Sequence, residues 1–444
     1  MSAPAAGIPT QEDSGPKTAS SLAHYKWWVV GMLWFVCFFN YADRQAIFAV
    51  FPKLSEEFGF SKTELGLIGS AFMWVYAACA PLAGFIGDRV ARKHLILGGC
   101  LFWSFVTVTT GWCNKLWHFV TVRALEGFGE TFYFPASMSL VSDYHAATTR
   151  SRAMSLHQSG VYIGTILGSW AGAWFAVQWG WRIGFYFFGI AGMVLSLVLY
   201  RFLREPRRGQ MEATPAAMAS KPTVGEALRD IFRTPTALLL MMAFVGANFV
   251  ATIFLTWTPT FLVEKFQFKL TTAGLSGTLF IHLASAMCVP VAGWVADRCA
   301  RWRPGGRMLP QAVGLLVGAG FVMLVGKTTE ISTLILAMTV FGVCKGFYDA
   351  GIFASLYDVV PIRSRATAAG IMNTVGWGGG ALGPLLTGWY AQHGGQGSEM
   401  ANMSRFISSC GAVYVTCGVL LIAAVFAFAP RDVVYSPSNG ASRT

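Results

Sequence analysis

Apolar residues run along this chain in long stretches separated by short polar joints, with no strict alternation. A bilayer core of about 30 Å takes roughly 20 residues of helix to cross. Twelve stretches reach that length: 27–51, 65–87, 94–113, 117–142, 153–177 and 182–203, then 236–260, 271–295, 310–326, 331–358, 366–391 and 404–430. A membrane barrel would need alternating segments of about ten residues. These runs are two to three times longer, so the pattern predicts an all-α membrane protein with twelve transmembrane helices.

One long polar interruption, 204–235, carries Arg204, Pro206, Arg207, Arg208, Lys221, Arg229 and Arg233. It divides the chain into an expected polar tail at 1–26, a six-helix bundle at 27–203, a linker at 204–235, a second six-helix bundle at 236–430 and a tail at 431–444. The first 25 residues lack a basic start leading into an apolar core and a small-residue cleavage site, so they read as a tail and not as a signal peptide.

Composition agrees with a membrane protein: 54% hydrophobic residues, 12% charged residues and a mean hydropathy of +0.52 leave too little polar surface for a soluble globule of 444 residues. The net charge of +12 would suit nucleic acid, but its placement does not. Loops after even-numbered runs hold eighteen Lys and Arg, whereas the opposite loops hold eight. The positive-inside rule puts both termini and the linker in the cytoplasm, and the expected location is a bacterial inner membrane. The nine cysteines form no CxxC or other metal spacing and read as small packing residues, with no cofactor implied.

The chain is also built twice. Gly84-Phe85-Ile86-Gly87-Asp88-Arg89-Val90-Ala91-Arg92-Lys93 recurs 209 residues later as Gly293-Trp294-Val295-Ala296-Asp297-Arg298-Cys299-Ala300-Arg301-Trp302, each at the end of an apolar run and expected in a tight loop. Residues 58–72 align without a gap with 266–280, and Arg150-Ser151-Arg152-Ala153 answers Arg363-Ser364-Arg365-Ala366. Parallel halves with a site near the midplane between them are a standard secondary-transporter plan.

On these motifs the sequence resembles the major facilitator superfamily over residues 25–430. The resemblance implies that Asp88, Arg89 and Arg92, with Asp297 and Arg298 in the second half, are gating residues that hold helix ends together. Ala91 and Cys299-Ala300 stand where that family usually has Gly, which implies a weaker second latch.

Ionisable groups cost roughly 2.5–3.5 kcal/mol each at mid-bilayer on insertion scales and persist where they are paired, face a cavity or do work. The first half concentrates them: Asp43 and Arg44 within Asn40-Tyr41-Ala42-Asp43-Arg44-Gln45, and Arg123, Glu126 and Glu130 further on. Positions 123, 126, 127 and 130 share one helix face, with Arg123 and Glu130 about 10 Å apart along the axis. Glu126 is placed to pair with Arg123. Acids beside arginines can alternate between an ionised, paired state and a protonated, released one, which is a proton relay; arginines also offer bidentate sites to a carboxylate. The alternative is a static ion-pair network fixing helix packing.

Asn-Tyr-x-Asp-Arg, and Arg followed seven residues later by Glu ahead of Phe134-Pro135-Ala136, resemble proton-coupled symporters of sugar acids such as hexuronates and aldonates. The resemblance implies proton sites at Asp43 and Glu130 and anion sites at Arg44 and Arg123. Gly127-Phe128-Gly129-Glu130 also resembles Spinster-type lipid transporters, the alternative reading.

The second half offers few charges. Lys345 and Asp349 stand four apart, as either a local salt bridge or a substrate contact. Tyr41, Gln158, Asn373 and Trp377 complete the candidate substrate contacts, as hydrogen-bonding and stacking groups for a polar ligand. Scattered histidines and the absence of Walker or zinc spacings leave a membrane-embedded enzyme only a remote alternative. The expected function is symport of a small organic anion with protons by alternating access; the expected partners are the anion, protons and the bilayer, with no nucleic acid and no obligate protein partner.

Overall fold

The computed structural model describes residues 16–87, 89–206, 224–361, 364–395 and 397–433. Asp88, Arg363, most of the linker and most of both tails lie outside the described residues. Regular structure among those described is helical throughout.

The first half comprises α1 (Pro16–Ala49), α2 (Phe51–Phe58), α3 (Lys62–Gly87), α4 (Arg92–Thr110), α5 (Leu116–Thr131), α6 (Tyr133–Tyr144), α7 (Ala147–Gln178) and α8 (Trp181–Phe202). A short α9 (Val224–Phe232) precedes the second half: α10 (Pro235–Phe266), α11 (Leu270–Trp302), α12 (Met308–Lys327), α13 (Ile331–Asp349), α14 (Ile352–Val359), α15 (Arg365–Gly380), α16 (Leu382–His393), α17 (Glu399–Ala423) and α18 (Ala429–Asp432). Eight helical stretches among the described residues are long and apolar enough to cross a membrane.

Several expected runs are divided, and proline explains three of the divisions. Pro52, Pro135 and Pro384 follow the joints at Val50, Phe132 and Ala381 by two or three residues. Each lacks the N–H that would bond four residues back, so the helical ladder fails just there. The joint between α13 and α14 at Ala350 and Gly351 has no such proline. Residues 16–26, expected as tail, instead extend the first helix, and the Tyr25 hydroxyl donates to the Phe202 carbonyl at 2.8 Å.

The two copies of the repeated motif fold differently. After Gly87 the first turns at Arg89 and bends at Val90. The second is not the expected loop: α11 continues through Asp297 and Arg298 to Trp302, since no glycine or proline interrupts the chain until Pro304-Gly305, where Gly305 takes a φ of 72°. A deeper likeness lies beside each motif. Arg92 at the head of α4 pairs with Asp143 near the end of α6, and Arg307 at the head of α12 bonds Asp358 near the end of α14 at 2.8 Å.

Helices of each half pack among themselves, and the halves then meet through α3 with α15 and α16, α7 with α11, and α1 with α10. The hydrogen bonds that cross between halves, among the described residues, join Gln45 to the Leu255 carbonyl at 2.8 Å, Lys62 to Glu264, Thr63 to Gln392, and Ser70 to the Ala381 carbonyl at 2.5 Å. These positions gather toward the end of the bundles away from Pro16 and Asp432. Here α3 and α16 come together without side-chain bulk: a Cβ on Gly66 would stand 2.5 Å from the Pro384 carbonyl oxygen. Gly66→Val is therefore expected to pry this end apart. In that background a cysteine replacing Thr63 should label with an impermeant maleimide far faster, read at that peptide by mass spectrometry. Equal labelling would remove this contact from the closure.

Candidate functional site

The first-half charges converge. On α1, Asn40, Asp43 and Arg44 lie at i, i+3 and i+4, but consecutive residues diverge by about 100°, so Asp43 and Arg44 serve different neighbours. Arg44 reaches α5, where its Nε donates to Glu130 Oε2 at 2.8 Å and its Nη2 bonds the same oxygen. Nη2 also donates to Asn40 Oδ1 at 3.2 Å. Asp43 faces α4: Oδ1 accepts from the Arg44 backbone N–H at 2.7 Å, and Oδ2 lies 3.3 Å from Thr107 Oγ1.

One turn along α5, Arg123 pairs with Glu126 through Nη1. The acid that pairs with Arg123 and the acid that binds Arg44 are thus different residues of one helix face, and Arg123 and Glu130 do not pair directly. Phe72 on α3 separates the two cations, its ring 4.6 Å from the Arg44 guanidinium carbon and 4.7 Å from that of Arg123. Each such contact contributes about 0.5–2 kcal/mol. Gly127 makes the arrangement possible, because a Cβ there would collide with the Phe72 backbone carbonyl. Tyr41 and Tyr76 add ring faces at 4.5 and 5.6 Å from the Arg44 guanidinium.

All five ionisable groups are buried, Arg123 and Glu130 to 1% exposure. Yet Glu130 Oε1 and Arg123 Nε and Nη2 have no hydrogen-bond partner among the described residues. Each orphan of this kind costs about 1–3 kcal/mol or more. A buried guanidinium with two free edges and a carboxylate with a free oxygen therefore form a donor–acceptor set with unused capacity.

Residues 33–384 match the Major Facilitator Superfamily. The chain belongs to that superfamily. It is a membrane transporter and not an enzyme. A probable anion transporter 4 of rice chloroplasts is 28% identical over 83% of this chain, which spans 64% of that protein. A probable L-galactonate transporter of Escherichia coli is 25% identical over 86% of this chain and 87% of its own length. Among solved structures, a bacterial homologue of the human lysosomal transporter Spinster, inward-facing and unoccupied, superimposes with a TM-score of 0.75 at 22% identity over 93% of this chain and 99% of that one.

The chain's second half contributes less to the cluster. Trp377 on α15 meets Tyr76 edge to face at 5.9 Å, which links the Arg44 surroundings to the second bundle. Gln158 and Asn373 are half-buried and make no side-chain hydrogen bond among the described residues. Lys345 and Asp349 form the local ion pair, and Tyr162 crosses to His282 with ring centroids 6.3 Å apart.

Of the gating candidates, Arg92 is buried and ties α4 to Ser139, Asp143 and Glu205. Arg89 and Arg298 are exposed, and Asp297 accepts from Arg307 at 2.8 Å. Sequence reasoning missed Arg307, Phe72 and Thr107. The repeat aligns Arg92 with Arg301, and Arg307 takes the Arg92 role six residues further on because α11 runs through the second copy to Trp302. Phe72 and Thr107 carried no signal, being an aromatic and a hydroxyl among many in apolar helices.

Proposed function

We propose that this superfamily member is a proton-coupled symporter of a small organic anion, of the hexuronate or aldonate kind, working by alternating access. The observation that carries the reading is the buried Arg44–Glu130 pair beside an Arg123 with two unsatisfied edges. A proton on Glu130 removes the charge that holds Arg44, and an anion's carboxylate then takes the guanidinium by charge-assisted hydrogen bonds. Asp43 and Glu130 are the proton sites; Arg44 and Arg123 hold the anion; Tyr41, Gln158, Asn373 and Trp377 line its path. Asp88, Arg89, Arg92, Asp297 and Arg298 form the gate at the end bearing the termini. Likeness to an L-galactonate transporter, whose named substrate is a sugar acid, supports this class.

With both termini cytoplasmic in a bacterial inner membrane, as the loop charges favour, the end where hydrogen bonds join the two halves is the outer one. The reading calls for no protein partner.

A second reading, a Spinster-like transporter of lysolipids or sphingolipids, is favoured by the fold likeness and by the Gly127-Phe128-Gly129-Glu130 stretch. Proteoliposomes carrying a pH dye inside separate the two. Internal acidification on adding a hexuronate or L-galactonate, lost in Glu130→Gln, supports the symporter. Silence to every sugar acid with movement of a lysophospholipid replaces it with the lipid reading.

A further inference from the structure

Glu126 has no role in the symport scheme above, yet its surroundings are specific. Its Oε2 takes Arg123, and its Oε1 lies 3.5 Å from Thr107 Oγ1 and 3.4 Å from Thr110 Oγ1. Thr107 thus stands between two carboxyl groups, with Asp43 Oδ2 on its other side at 3.3 Å. A hydroxyl carries one hydrogen and two lone pairs. The shortest contact of Thr107 Oγ1 is to the Trp103 carbonyl one helical turn back, at 2.9 Å, so that acceptor holds the hydrogen. Both carboxyl approaches are long for that reason, and an acid proton on Asp43 or Glu126 is what would complete a hydrogen bond with the hydroxyl oxygen.

We propose that Thr107 passes a proton from Asp43 to Glu126, and that this transfer frees Arg123 for the anion. The step balances: the Thr107 hydroxyl turns its hydrogen from the Trp103 carbonyl toward Glu126 Oε1, and Asp43 Oδ2–H then gives its proton to Thr107 Oγ1 as that hydrogen leaves for Glu126. Asp43 ends ionised, Glu126 ends as a neutral acid and Thr107 is unchanged. Neutral Glu126 no longer binds Arg123 by charge, so a guanidinium already free at Nε and Nη2 gains Nη1 as a third open donor. The charged or titratable groups around this path are Arg44 from α1, Cys100 from α4, Cys113 from the α4–α5 connection, and Arg123 and Glu130 from α5.

The assignment of Arg123 to an anion rests on the symport reading, so the test of the path uses no substrate. The full-length protein is reconstituted in phosphatidylcholine bilayers, and infrared difference spectra follow the carboxylic-acid carbonyl bands after an acid jump. D43N and E126Q identify the two acids, each by the loss of one band. In T107V the Asp43 band moves to higher wavenumber as it loses its partner, and the Glu126 band rises about tenfold more slowly, the weight of one hydrogen-bonded link. T107S, which keeps the hydroxyl, restores both, which separates the path from a packing defect. An unchanged spectrum in E126Q, or T107V spectra superimposable on the parent's, overturns the proposal. If these bands behave as stated while sugar acids fail to drive proton flux, the path stands and the cargo assignment falls; the converse pattern leaves the symporter and removes the path.

Discussion

Glu130→Gln is expected to abolish proton-driven accumulation of the anion, by about a hundredfold or more, while exchange of labelled for unlabelled anion survives. Glutamine keeps a carbonyl oxygen for Arg44 but can neither take nor give up a proton. The Arg44 guanidinium, which makes two bonds to one Glu130 oxygen, then stays released from its counter-charge at every pH. Loss of one partner from a buried pair costs about 3–5 kcal/mol in soluble proteins, and the retained amide contact offsets part of it, so the variant should be recoverable with a lowered thermal midpoint. Counterflow and pH-driven uptake in the same vesicles give the comparison. Unaltered pH-driven uptake would take the proton role away from Glu130.

Arg123→Ala should raise the half-saturating anion concentration by about a hundredfold with a smaller change in maximal rate. A hydrogen bond to a charged group is worth about 1.5–3 kcal/mol, and each 1.4 kcal/mol is tenfold in affinity. The substitution also strands Glu126, which is buried and paired with Arg123 alone among the arginines. Adding Glu126→Gln to Arg123→Ala relieves that stranded charge, so the double variant should regain thermal stability without regaining affinity. Uptake measured over a range of substrate concentrations decides it: an unchanged half-saturation constant would move the anion site elsewhere.

The large architecture was readable because membrane insertion writes it into composition. Runs of apolar residues, their polar joints and the displaced repeat yield the all-α superfamily fold. The interruptions at Val50, Phe132 and Ala381 were there to be read from Pro52, Pro135 and Pro384, but a proline also sits inside the continuous helices α3, α10 and α11, so residue type alone does not separate a joint from a tolerated proline. Likewise the second Asp-Arg copy matched the first in sequence and still stayed helical, since the next glycine lies beyond Trp302.

The candidate site was readable as a set of residues and not as a set of pairs. Spacing placed Arg123, Glu126 and Glu130 on one face, and the i, i+3 rule favours the Arg123–Glu126 pair that forms. That Arg44 takes Glu130 depends on how α1 is turned against α5, a register that neither helix encodes alone. Phe72 stands between the guanidiniums only because Gly127 lets α3 approach, a relation between two helices with no mark in either.

The cluster also carries an electrical consequence. With every member ionised, Asp43, Glu126 and Glu130 outnumber Arg44 and Arg123 by one, so the empty site bears a single negative charge buried in the first bundle. Two protons and one monovalent anion would bring it to neutrality. The loaded carrier would then cross indifferent to voltage, and the empty one would return carrying the imbalance, which is worth about 2.3 kcal/mol per charge for each 100 mV of membrane potential. A negative-inside potential would in that case act on the return stroke, and turnover would be paced by the resting voltage of the cell as well as by its proton gradient.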